Sequence, residues 1–216
     1  MENKKHYYNC AYMRRERLQA YIDQINAVAR WSEAKDSILE VGKGNGYLSH
    51  VLSAYYSMRI KSVDIDPNLQ PDFIADISSP EFVLPETYDV ALCFEVLEHI
   101  PWEKIATVID NLLGQVRHDL IISVPDANFF FQLKLNIFWL LFTPLNLTLS
   151  FPRILRNRTT LGSGHHWEIG IKNNGKPVTK KQLIHDVLGV ENLVEEYRGR
   201  EFAGHHFFIL RGKAAT

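Results

Sequence analysis

Ser37-Ile-Leu-Glu-Val-Gly-Lys-Gly-Asn-Gly-Tyr-Leu-Ser-His-Val51 is the stretch that decides how this chain is read. A short apolar run ends in glycines at positions 42, 44 and 46 and passes straight into residues suited to a helix. Glycine at alternate positions lets the backbone turn tightly and approach a bound group where a Cβ would collide. A dinucleotide fingerprint G-x-G-x-x-G counted from Gly42 needs its third glycine at position 47, where Tyr47 stands. Glu40, two residues ahead of Gly42, would repel a pyrophosphate and attract a cation. The loop therefore reads as a cradle for a bulky, positively charged ligand.

Outward from this loop, short apolar runs bounded by turn residues recur at Ile38–Val41, Ile60–Val63, Phe73–Ile74, Val90–Phe94 and Leu120–Val124. Helix-compatible stretches, Tyr47–Tyr56 and Trp102–Val116, lie between them. Strands alternating with helices at this pitch predict an α/β fold, Rossmann-like and doubly wound, with a mostly parallel sheet and helices on both faces. Residues 1–36 form an N-terminal helical segment, because Tyr12–Ala34 lack Gly and Pro and place Leu18, Tyr21, Ile22, Ile25, Val28 and Ala29 at helical spacing. Residues 37–216 form the main domain. It closes on a helix N-capped by Thr179 and on Val194–Tyr197 and His206–Leu210, a predicted antiparallel C-terminal edge.

The chain has 216 residues, 46% of them hydrophobic and 23% charged, with 24 Lys+Arg against 25 Asp+Glu. That is an ordinary soluble globular composition for one domain, or at most a domain plus an appendage, and its formal net charge of −1 offers no global attraction to polyanions. Two cysteines, Cys10 and Cys93, exclude a disulfide scaffold, and the polar N-terminus Met1–Tyr8 lacks the apolar run of a secretory signal, so a cytoplasmic location is expected. Within an insertion at about 127–178, Phe129–Phe151 holds 15 apolar residues in 23, interrupted by Gln132, Lys134, Asn136 and Pro144. It is too broken for a transmembrane helix and reads either as a lid over the site or as an extra helix packed on the core. After Pro144 its apolar residues fall at every second position, as in an extended segment.

Two more acidic residues follow the glycine loop. Asp64 ends the second strand, where a carboxylate accepts hydrogen bonds from both hydroxyls of a ribose. Asp76 follows the third, placed to receive an adenine amino group, with Ile65 and Ile77 giving apolar contact to the base.

Together, Leu39-Glu-Val-Gly-Lys-Gly-Asn-Gly46, Val63-Asp-Ile-Asp-Pro67, Ala75-Asp-Ile77 and Tyr88-Asp-Val-Ala-Leu-Cys-Phe-Glu-Val-Leu-Glu-His-Ile100 resemble the class I S-adenosylmethionine-dependent methyltransferases. The resemblance implies an enzyme that binds S-adenosyl-L-methionine at Glu40, Gly42, Gly44, Gly46, Asp64, Ile65, Asp76, Ile77, Phe94 and Glu95. Lys43 departs from the family, which has a small or polar residue there. Its charge is expected to point to solvent, away from the sulfonium.

Methyl transfer needs an acceptor aligned with the carbon–sulfur bond and, for an alcohol, removal of its proton. Glu95, Glu98 and His99, at i, i+3 and i+4, would share one face if helical. The string is similar to the metal-binding motif of ubiquinone-biosynthesis O-methyltransferases and of small-RNA 3′-terminal 2′-O-methyltransferases, in which a later histidine completes the set. By that resemblance Glu95, Glu98, His99 and His165 would hold a divalent ion, Mn²⁺, Fe²⁺ or Zn²⁺ as well as Mg²⁺. Without a metal, His99, His165 or His166 would be the general base. His205 and His206, at an apparent strand start, read as edge packing.

The expected reaction is O-methylation of a small-molecule or lipid-linked acceptor. The apolar segment with Arg153, Arg156 and Arg158 offers membrane-surface contact through 129–158. The alternatives are a nucleic-acid acceptor, namely an RNA 3′ terminus, which the charge balance disfavours, and a non-catalytic cofactor-binding partner subunit. A nicotinamide-dependent oxidoreductase is the remaining class.

Overall fold

The computed structural model describes residues 12–128, 130–135, 145–150, 160–173 and 176–214. Seven strands form one sheet in the order β10-β11-β5-β4-β1-β2-β3. Its parallel part comprises β1 (Ser37–Val41), β2 (Arg59–Asp64), β3 (Phe73–Ile74), β4 (Tyr88–Phe94) and β5 (Val116–Pro125). β10 (Leu193–Arg198) and β11 (His205–Arg211) add an antiparallel hairpin beside β5. This is the expected Rossmann-like, doubly wound sheet with an antiparallel edge.

Neighbouring strand residues point to opposite faces and build two cores. Ile38, Val90, Leu92, Ile121, Phe207 and Ile209 pack under α1 (Arg15–Trp31) and α2 (Tyr47–Tyr56), meeting Ala27, Val28, Leu48 and Leu52. Leu39, Ala91, Cys93, Leu120, Ile122 and Phe208 face α3 (Ile105–Gly114) and the completely buried Trp167. The predicted helix over Trp102–Val116 divides into a 3₁₀ turn at Trp102–Lys104 and α3, and Val116 already belongs to β5. Thr179 caps α4 (Lys180–Leu183) by accepting the Gln182 amide, and the helix continues as a π turn over Ile184–Leu188.

In the insertion, β6 (Phe130–Leu135) and β7 (Leu145–Ser150) pair antiparallel. The alternation after Pro144 was thus a strand, and the extra-helix alternative does not hold for these residues. Whether the segment forms a lid turns on residues outside the described ones, as do Cys10, Arg153, Arg156 and Arg158. Residues 160–171 return to the sheet, where Ala127 N donates to Ile169 O at 2.9 Å and Ile169 N to Pro125 O at 3.1 Å. A short hairpin of β8 (Lys172–Asn173) and β9 (Lys176–Pro177) follows. Among the described residues no helix is long and apolar enough to cross a membrane.

Candidate active site

The strand order reverses direction between β1 and β4, and open α/β sheets bind ligands outside the carboxyl ends of their strands at such a point. A cleft of about 1130 Å³ lies there. Glu40, Gly42, Lys43 and Gly44 line it from the first strand and its loop, and Asp64, Ile65, Asp76 and Ile77 from the next two. Phe94, Glu95, Glu98 and His99 line it from the end of β4, and His165 and Glu168 from the insertion.

The glycine loop has the geometry its composition demands. Gly42, Gly44 and Gly46 all have positive φ, at 78°, 52° and 70°. A Cβ on Gly42 would run into Val96 Cγ2, whereas one on Gly44 would meet nothing within 4 Å, so the space above Gly44 belongs to the cleft. Gly46 does not line the cleft; it is the left-handed N-cap of α2. Glu40 is buried, and burial lifts its carboxyl to about 7 against the hydrogen bonding of Ser49 and the charge of Lys43. Asp64 Oδ1 accepts the Asp66 amide and Asp76 Oδ1 the Ser78 amide, which holds Asp76 below its ordinary range. Ile77 is buried, while Ile65 is 67% exposed at the rim. Lys43 is half-buried in the cleft lining and bonds the Gln70 carbonyl, so it does not simply point to solvent as expected.

The helical placement of Glu95, Glu98 and His99 is corrected by the structure. Leu97–His99 is a single 3₁₀ turn, and Glu95 stands outside it with φ of 56°, a strained conformation for a residue with a side chain. Glu95 consequently turns toward the neighbouring strands, where Oε1 accepts the Ser123 hydroxyl at 2.9 Å and Oε2 lies 2.9 Å from His205 Nε2. Burial raises the Glu95 carboxyl, but His205 and Ser123 outweigh it and hold it below the usual value.

The rest of the expected set does converge. Glu98, His99 and His165 each bring a ligand atom to within 4.8 Å of the others. His99 Nδ1 is 3.1 Å from Gly164 O, and His165 Nδ1 is 2.7 Å from Glu168 Oε1, which also accepts the Gly162 amide. Each ring is thus oriented through Nδ1 and presents Nε2. Glu98 Oε2 is buried without a hydrogen-bond partner among the described residues, and burial, then the charges of Glu95 and Glu168, push its carboxyl well above the ordinary range. Burial also lowers His99. His166 has its side chain exposed outside the cleft and offers only its backbone amide, to Glu98 O at 2.7 Å.

A methyltransferase-domain family model matches residues 13–208. The chain belongs to this family. The match spans the four motifs and the sheet built around them, and the methyltransferase is a class I S-adenosylmethionine-dependent enzyme with the Rossmann-like fold. Among solved structures it is similar to the N-methyltransferase NodS from Bradyrhizobium japonicum WM9 in complex with S-adenosyl-L-homocysteine, with TM-score 0.59 and 13% identity over 98% of this chain and 96% of that one. It is also similar to the glycopeptide N-methyltransferase MtfA complexed with S-adenosyl-L-methionine, with TM-score 0.57 and 8% identity over 90% and 94%. A third is an S-adenosylmethionine-dependent methyltransferase from Clostridium acetobutylicum ATCC 824, with TM-score 0.56 and 8% identity over 91% and 92%. At these identities the likeness is one of fold. No curated protein matches the sequence.

Several residues of the methyltransferase cleft were not legible in the motifs. Arg17 and Tyr21 reach it from α1, and Asp126, Phe202 and His205 from the ends of β5 and β11. The edge-packing reading of His205 and His206 is corrected, since both are buried against carboxylates, His205 on Glu95 and His206 between Asp126 and Glu196. The available signal was two adjacent histidines at the start of a strand that continues Phe-Phe-Ile-Leu before its final Arg211.

Proposed function

We propose that the methyltransferase moves the methyl group of S-adenosyl-L-methionine to a hydroxyl oxygen of a small acceptor seated beside Glu98, His99 and His165. The observation that carries this reading is the convergence of these three side chains, each ring held through Nδ1 and open at Nε2. The adenosyl half of the cofactor is assigned to Gly42, Gly44, Asp64, Ile65, Asp76 and Ile77, and its methionine carboxylate to Arg17. Eight carboxylates line the cleft among the described residues, from Glu40 to Glu168, against Arg17 and Lys43. That charge suits a sulfonium and opposes a phosphate-rich acceptor such as RNA.

The acceptor oxygen attacks the methyl carbon in line. A carbon–oxygen bond forms as the carbon–sulfur bond breaks, and its electron pair stays on sulfur. With no ion bound, His99, whose imidazole partial desolvation lowers from its ordinary value, offers Nε2 to take the hydroxyl proton.

The resemblance to metal-dependent methyltransferases is tested by the same residues. Three of the four expected ligands fit a divalent ion, because a buried Glu98 oxygen with no partner among the described residues and two imidazoles oriented by a carbonyl and a carboxylate are what such an ion needs. Glu95 does not fit, its oxygens being held by Ser123 and His205. When bound, the ion would acidify and orient the acceptor hydroxyl. A second reading, N-methylation, is favoured by the same Glu98 oxygen, which would equally receive an ammonium, and NodS and MtfA are N-methyltransferases.

The test is transfer of labelled methyl to a panel of catechols, prenylated phenols, amines and an RNA oligonucleotide, with Mn²⁺ or with chelator. Chelator-sensitive labelling of a catechol or phenol, with Mn²⁺ heat lost in Glu98→Ala, supports the proposal. Metal-independent labelling of amines alone establishes the second reading.

A further inference from the structure

Asp23 lies on α1 two residues beyond Tyr21, is 5% exposed, and does not line the cleft. An aspartate inside a helix costs propensity, and a buried carboxylate costs more unless it is well supplied with donors. Asp23 finds its donors outside its helix, in three consecutive backbone amides of the β10–β11 loop. Oδ1 accepts from Arg200 N and Glu201 N at 3.0 Å each, and Oδ2 from Glu201 N at 3.0 Å and Phe202 N at 2.8 Å. Successive amides aimed at one point form an anion nest, here filled by the protein's own carboxylate. Gly199 is shaped to the same contact, since a Cβ there would lie 2.7 Å from Asp23 Oδ2 and 2.5 Å from Phe202 O.

Both ends of this tie lead to the cleft. On the helix side Arg17 lines the cleft, and Tyr21 OH bonds Asn45 Oδ1 in the glycine loop at 3.2 Å while its ring packs on Tyr47. On the loop side the Phe202 ring meets His205 edge-on at 4.8 Å, and His205 holds Glu95.

We propose that Asp23 is a positioning residue for cofactor binding, fixing α1, with Arg17 and Tyr21, to the loop that carries Phe202 and His205. The inference rests on the assignment of Arg17 to the cofactor, and it adds a residue that touches neither cofactor nor acceptor. Without the tie, α1 keeps its apolar seat on the sheet through Ala27 and Val28, but its cleft-facing half loses its register against the loop.

The experiment is calorimetric titration of S-adenosylhomocysteine into the full chain and into Asp23→Ala, Asp23→Asn, Arg17→Ala and the double variant Asp23→Ala/Arg17→Ala, each checked for a folded melt. Asp23→Ala is expected to weaken binding at least tenfold and Asp23→Asn several-fold. The factor lost on Asp23→Ala is expected to shrink below threefold when Arg17 is already absent, because residues acting through one another are not additive. Amide exchange at 200–202 should accelerate in both Asp23 variants. Wild-type affinity in Asp23→Ala, or the same factor lost with and without Arg17, overturns the proposal. Should Arg17→Ala alone bind normally, the Arg17 assignment fails by itself, and the cycle is run with Tyr21→Phe. If Asp23→Ala does not fold, Asp23→Asn carries the same cycle.

Discussion

Nε2 of His205, the first residue of β11, lies 2.9 Å from Oε2 of Glu95, the residue that follows β4. β11 runs antiparallel to its neighbour, so its first residue arrives at the end of the sheet where the parallel strands finish. His205→Ala should leave cofactor affinity within about threefold while kcat falls about 10- to 100-fold, the cost of losing one bond to a charged, buried group. His205→Gln, whose amide nitrogen reaches the place of Nε2, should recover most of that rate. Steady-state kinetics on the acceptor found in the labelling panel is the check, and equal loss in both variants would count against a role for the contact.

Gly42 has φ of 78°, and a side chain there would strike Val96. Gly42→Ala combines left-handed strain of about 1–2 kcal/mol with that collision. It should lower the melting temperature and abolish binding of S-adenosylhomocysteine in the same preparation. Gly44→Ala has strain but no collision, so it should melt closer to wild type and still bind poorly, because its Cβ enters ligand space.

Glu40 gives a pH dependence with a definite sign. Its folded value of about 7 lies above the ordinary 4.5, so its favourable contribution is complete below pH 4.5 and is lost as pH rises through 7. The loss amounts to about 3 kcal/mol. Chemical denaturation of the ligand-free protein should show this decline between pH 5 and 8, and Glu40→Gln should flatten it. A sulfonium favours the ionised carboxylate, so affinity for S-adenosylmethionine should rise nearly tenfold (~10) between pH 6 and 7.5, with proton release that the Gln variant lacks.

Trp167 joins the two halves of the three-residue cluster. Its Nε1 donates to Leu97 O at 3.1 Å and Ile100 O at 3.2 Å, and its ring meets Trp102 edge-on at 5.1 Å. Trp167→Phe takes the indole donor from Ile100 O and leaves Leu97 O with the Ile100 amide, and should cost about 1–3 kcal/mol. Trp167→Ala should cost about 3–5 kcal/mol. Mn²⁺ calorimetry should show a weakened heat in Trp167→Phe although no ligand atom has changed.

Much of the fold could be read in advance because its signals are local. The runs ending at Phe94 and Val124 are almost wholly buried on both faces and so are almost continuously apolar, and the shorter runs ending at Val41 and Val63 are bounded by turn residues. The Glu95–His99 string misled because helical spacing was assumed where the chain leaves β4 through a left-handed residue, with the next residue, Val96, packed against Gly42. His205, Arg17 and Asp23 carry no local signature, since each acts on a partner far away in the chain.

From the order of residues alone came the α/β architecture, the glycine cradle, the acidic strand ends and the methyltransferase family, all written in short windows where each residue's neighbours in sequence are its neighbours in space. The tertiary structure alone decided which carboxylate joins His99 and His165, which is instead held by His205, and how the first helix is tied to the last hairpin. Those outcomes depend on strand direction and on which buried charge finds donors, and both are settled only when distant segments pack together and exclude water.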